Sequence, residues 1–140
     1  MSRYPDWPDR LNEFVLDATK REFAWAEHDC CTFAADAVLA ITGVDYMARF
    51  RGRYHDEESA EALIAAECYG GSLFKHLYKT FGRPVHGALA QRGDIAWYEG
   101  CCGVMVSKHG VFFGQEGYLL VPRRKRRPGD SFVKFAFRVG

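Results

Sequence analysis

The run Phe23-Ala-Trp-Ala-Glu-His-Asp-Cys-Cys-Thr-Phe-Ala-Ala-Asp-Ala-Val-Leu-Ala-Ile-Thr-Gly43 decides the fold. From Cys30 onward its apolar positions fall at Phe33, Ala34, Ala37, Val38 and Ile41. That spacing is the one-sided stripe of a helix lying on a core. Asp29 suits the N-cap, and Gly43 suits the stop. Cys30 then falls in the first turn, beside unpaired backbone N–H groups and the positive end of the helix dipole. Those groups favour a thiolate, so a nucleophilic cysteine of lowered pKa is one expectation. A buried structural cysteine is the other, because free cysteines are among the most buried residues.

Outward from this helix the chain changes character once. Before it, Pro8 fits a helix start, with Leu11, Phe14, Val15 and Ala18 as a short stripe to about Lys20. After it, Val44 to Tyr54 reads as an irregular stretch whose Arg49, Arg51 and Arg53 are solvated rather than an anion site. Asp56 caps a third helix with Ala62, Leu63, Ala66 and Cys68 inward. Ser72 caps a fourth with Leu73, Phe74, Leu77, Tyr78 and Phe81 inward, closed by Gly82. Beyond Pro84 the period becomes that of strands: Ile95 to Tyr98, Gly103 to Ser107, Val111 to Phe113, Tyr118 to Val121, and a last strand with Val133, Phe135, Phe137 and Val139 on one face. Lys108-His109-Gly110 and Gln115-Glu116-Gly117 read as tight turns. Helices over residues 8–82 and an antiparallel meander over 92–140 make one α+β domain spanning 1–140.

Composition bounds the function. The chain has 140 residues, 48% of them hydrophobic, enough for one core. A net charge of +1 gives no bulk attraction to nucleic acid or membrane. No run of about 18 apolar residues is present, so no membrane insertion is expected. The start carries no apolar signal-peptide core, which points to synthesis and folding in a cytoplasm. Five cysteines, four of them in two adjacent pairs, do not resemble a secreted disulfide framework. Arg123-Arg124-Lys125-Arg126-Arg127 reads as a solvated loop, or else as a contact surface for an acidic protein or a polyanion. The aromatic stacking residues of a nucleic-acid site are not beside it.

Asp29-Cys30-Cys31-Thr32-Phe33-Ala34 resembles the Asp-Cys-Ser-Gly-Leu-Val signature of NlpC-type cell-wall cysteine peptidases, which have a papain-like fold. Trp25 before the Cys helix and Gly93-Asp94 before a strand fit the same pattern. Over roughly residues 20–140 the chain also resembles short phage and prophage proteins encoded among tail genes. These carry Trp-x-x-x-Asp-Cys, Phe-Arg-Gly-Arg-Tyr (here Phe50 to Tyr54) and Arg-Gly-Asp (here Arg92 to Asp94). The resemblance implies a papain-like fold, a place in the virion tail after synthesis in the host cytoplasm, and other tail proteins as partners. In the peptidases a His opening the strand after Gly-Asp is the general base; here Cys101 or Cys102 holds that position.

Three functions follow. The first is a tail-tip structural or assembly protein on a degenerate NlpC-like scaffold, with Trp25, Cys31, Cys101 and Cys102 lining a former cleft and Arg123 to Arg127 as a contact surface. The second is a peptidoglycan-cleaving cysteine peptidase or amidase. Cys30 is then the nucleophile, His28 or a realigned His109 the base, and Asp29 or Asp94 an orienting or structural acid. His109 sits at the far turn of a hairpin, over 20 Å along the strand at about 3.3 Å per residue. The third is a thiol module: a reversible Cys30–Cys102 disulfide, or zinc or an iron–sulfur cluster on Cys30, Cys31, Cys101 and Cys102. No cofactor is expected on the first two readings.

Overall fold

The structure, a computed structural model, describes residues 1–140. Four helices come first: α1 (Trp7–Ala18), α2 (Cys30–Thr42), α3 (Glu57–Glu67) and α4 (Leu73–Phe81). Six strands follow: β1 (Val85–His86), β2 (Ile95–Tyr98), β3 (Cys101–Met105), β4 (His109–Gly114), β5 (Gly117–Pro122) and β6 (Phe135–Phe137). They form one sheet in the order β1-β6-β2-β3-β4-β5, and every pairing is antiparallel. The α+β expectation is met. No helix is long and apolar enough to cross a membrane.

The helix α2 is held where its sequence asks. Asp29 and Thr32 exchange side-chain and backbone hydrogen bonds in a full capping box. Gly43 ends it at φ 78, a left-handed cap that only glycine adopts without strain, and its N–H donates to Leu39 O at 2.8 Å. Phe33, Ala34, Ala37, Val38 and Ile41 are fully buried. They join Leu11, Leu77, Ile95, Val104 and Phe137 in the main core between helices and sheet. Each such Leu, Ile or Phe contributes about 1.5–3 kcal/mol through burial.

Several boundaries and faces depart from the periodicity. Ala62 and Ala66 are exposed; α3 instead turns Leu63 and Ile64 toward a small cluster of Ala35, Met47, Phe50 and Cys68. Tyr78 is exposed, while Leu77 is buried. The strand β3 begins at Cys101, two residues earlier than its apolar run suggests, and β4 begins at His109 rather than after it. The strand β6 is short and does not follow a simple alternation. Phe137 and Val139 enter the main core, whereas Val133 and Ala136 join a second cluster with Ala90, Ala96, Met105, Phe112 and Val121 on the other sheet face. Phe135 is left 41% exposed. The sheet is therefore covered on both sides around β2, β3 and β6, which one-faced alternation does not foresee.

Candidate functional site: the Cys30 cleft

The turn before α2 is built around Asp29. Its Oδ1 accepts from Thr32 N at 2.9 Å and Thr32 Oγ1 at 3.1 Å. Its Oδ2 accepts from Ala26 N at 2.8 Å and from the Tyr54 hydroxyl at 2.5 Å. The carboxylate is 2% exposed and fully used. It is a cap and a clamp, and neither oxygen reaches an imidazole. Ala26 takes φ 63, costly for a residue with a Cβ, and the Asp29 hydrogen bond holds it there. Burial, then the bond to Asp29, pushes the Tyr54 phenol well above its usual range.

Cys30 opens α2, as its position after Asp29 suggests, but its thiol is not activated. A hydrogen bond with Cys101 lowers its pKa. A hydrogen bond with Cys31, burial and the Asp29 charge outweigh that and raise it far above the ordinary thiol value. Of the two expectations for Cys30, the raised pKa favours the buried structural thiol over the thiolate. The Cys30 and Cys31 sulfurs lie 4.0 Å apart. Cys31 is raised chiefly by its hydrogen bond with Cys102, and Cys101 chiefly by its hydrogen bond with Cys30, burial adding to both. Cys101 thus lies beside Cys30 and Cys102 beside Cys31, while the one sulfur–sulfur contact within 4.0 Å is that of Cys30 with Cys31. Cys101 and Cys102 point to opposite sides of β3, as neighbours on a strand must. All five cysteines are free. No group of three or more His, Cys, Asp or Glu side chains is placed to hold a metal ion.

The histidines lie elsewhere. His28 is 1% exposed. Its Nε2–H donates to Ala18 O at 3.0 Å, and its ring sits 4.2 Å from that of Phe113, centroid to centroid. Its Nδ1 has no partner. Burial, with Arg21 nearby, depresses its pKa. His28 thus packs between α1 and β4, and no hydrogen bond links it to Cys30. His109 is exposed at the start of β4, opposite Pro122. The register pairs Met105 with Gly110, so His109 sits at the hairpin end away from Cys101. That is nearer than a linear count suggests, because the chain doubles back, yet still about 13 Å along the strands from Cys102. It neighbours Arg123, Arg124, Lys125 and Arg126 instead. Asp94 is also remote from the thiols, since β2 and β3 pair Ile95 with Val104 but Tyr98 with Cys101. It is fully buried and accepts from Gln91 N at 2.8 Å and Arg138 Nη1 at 2.8 Å, with Arg3 Nη2 at 3.5 Å. Its role is to fasten a turn.

A cavity of about 240 Å³ adjoins Cys30 and Cys101. Trp25, Met47, Phe50, Leu63, Ile64 and Leu73 supply most of its wall, with Asp29, Glu57 and Glu61 among its few polar groups. Trp25 meets Phe23 and Tyr54 edge to face, at 4.9 and 6.4 Å between centroids. The stretch Val44 to Tyr54, read as a solvated basic loop, forms the cavity's other side. Arg51 bridges Asp36 on α2 at 2.7 Å and Asp45 at 2.8 Å, and Arg53 pairs with Glu67. Those arginines are structural ties, and Phe50 and Tyr54 are nearly buried. The alternation of Phe50, Gly52 and Tyr54 with Arg51 and Arg53 was the available signal: polar and apolar groups addressed to two different surfaces.

The sequence model of a family described as a domain of unknown function (DUF6950) matches residues 2–129. No curated protein and no solved structure matches the chain.

Proposed function

We propose that this chain, which belongs to the DUF6950 family, is a structural or assembly protein of a phage tail tip, built on an NlpC-type, papain-like scaffold without catalytic activity and acting through contacts with other tail proteins. The observation that supports this best is the surround of Cys30 Sγ. Its neighbours are the Cys31 and Cys101 thiols and an apolar wall, and the nearest imidazole in sequence, His28, is committed to Ala18 and Phe113. A cysteine without a general base forgoes about 10²–10⁴ in rate. Here the thiol is also held protonated, so the helix dipole does not compensate. The tail setting rests on the resemblance carried by Trp25 to Cys30, Phe50 to Tyr54 and Arg92 to Asp94. These segments serve the capped turn, the α2 ties and the Asp94 turn, which suits motifs kept for architecture.

Incubation of purified protein with peptidoglycan, beside a Cys30→Ala control, is the direct test. Equal, background release of muropeptides from both is expected. Release that disappears in Cys30→Ala overturns the reading in favour of the peptidase. For the tail setting, a phage lacking this chain should yield incomplete tails that the Cys30→Ala chain restores. A second reading, a thiol module, is favoured by the closeness of the Cys30, Cys31, Cys101 and Cys102 thiols. It predicts a loss of free thiols in pairs on treatment with oxidised glutathione.

A further inference from the structure

The two edges of the sheet differ. One is β1, two residues long. The other is β5, six residues long, and its Tyr118, Leu119 and Leu120 are 54%, 55% and 55% exposed. Consecutive strand residues point to opposite faces, so β5 is bare on both sides as well as along its edge. Its backbone phase can be assigned. Gly114 and Gly117 close the two-residue turn of the β4–β5 hairpin. Gly117, Leu119 and Val121 then turn their backbone groups to β4, and Tyr118, Leu120 and Pro122 turn theirs outward. Pro122 O does accept from outside the hairpin, from Val133 N at 2.9 Å, and Arg123 N donates back to Lys108 O at 3.0 Å. The N–H and C=O groups of Tyr118 and Leu120 therefore face outward with no partner.

Natural sheets rarely leave such an edge open, since it is a template for another strand. Immediately beyond it the chain enters Arg123 to Arg127. Arg123 is used internally, its Nη1 donating to Ala90 O at 3.1 Å. None of the five forms an ion pair. Asp130 is the nearby carboxylate, and it accepts from the backbone of Arg126 and Arg127. Apolar edge and cationic run are thus one continuous surface.

We propose that β5 receives an extended segment of a partner protein as a seventh, antiparallel strand, and that acidic residues preceding that segment lie against Arg124 to Arg127. The antiparallel sense follows the rest of the sheet and sets the order: a partner strand running against β5 reaches the basic run with its N-terminal end. Charge disfavours a second copy of this chain. An antiparallel β5–β5 pair centred on Leu119 would set the five cations of each copy past the other's Gln115-Glu116, which brings a single carboxylate. The inference does not depend on whether Cys30 turns over a substrate.

The test uses a fluorescein-labelled peptide, Glu-Asp-Glu-Asp-Thr-Val-Thr-Val-Thr, and the full chain. Saturable binding at micromolar peptide is expected, with slowed amide exchange at Tyr118 and Leu120 in the unaltered protein. Leu120→Pro removes an outward N–H and spares the β4 ladder, as edge prolines do; it should weaken binding at least about tenfold. Arg124→Glu with Arg126→Glu should weaken it by about tenfold or more and flatten its salt dependence. No binding at about 1 mM peptide overturns the proposal. So does binding without protection at Tyr118 and Leu120, or a dimer in sedimentation that Leu120→Pro dissociates, which would give the edge to a second copy.

Discussion

At the scale of single residues, His28 carries the clearest pH signature. Its bare Nδ1 lies in a buried site, so protonation there would leave a charge without a partner. The folded pKa is below the ordinary value of 6.5, so the unfolded chain binds more protons between the two. The stabilisation is complete above pH 6.5 and is lost as pH falls through the depressed folded value. His76 shifts in the same direction, through burial and Arg49. Denaturant unfolding of wild type and His28→Leu across pH 4 to 8 should isolate the His28 share, with a shallower acid decline in the variant. Cys30 gives a second residue-scale expectation. Its raised pKa should make iodoacetamide label it more slowly at pH 8 than a small free thiol, measured by mass spectrometry. Tyr54→Phe removes the hydroxyl that donates to buried Asp29 and should cost about 2 kcal/mol in unfolding free energy.

At the scale of elements, α2 was legible almost in full. Cap, stripe and stop are local signals, and local rules fix them. What that stretch did not reveal was the partner of its first thiol. That depends on β2–β3 register, which places Cys101 opposite Tyr98 some seventy residues away. The packing of His28 is hidden for a related reason. Nearness in sequence to Cys30 suggested a base, but the turn through Ala26 sends its ring toward α1 and β4. The two-sided burial of the sheet was hidden as well, because Ala96 and Ala136 are too small to stand out as core. Gly103 shows how tightly the β3–β4 pair is drawn: a Cβ there would run into Val111 O and the Phe112 ring. Gly103→Ala should therefore destabilise the fold by about 1–3 kcal/mol, read as a lower midpoint in thermal unfolding.

At the scale of the whole molecule, Asp94 fastens together segments that are far apart in sequence. Arg3 approaches it from one side and Arg138 from the other, and Arg3 Nε also donates to Val139 O at 2.7 Å. Burial tends to raise the Asp94 pKa, and the two guanidinium groups and the Gln91 amide oppose that. Asp94→Ala should cost about 3 kcal/mol, because it removes the acceptor that these cations and Gln91 share. Tyr4 N, meanwhile, donates to Ile41 O at 2.8 Å, so the same strap reaches the end of α2. Residues 3 and 139 thus meet, and the backbone from one to the other traces a nearly closed ring. A circular permutant that splices those positions and reopens the ring at Ser107, on an exposed bend, should keep the native far-ultraviolet spectrum.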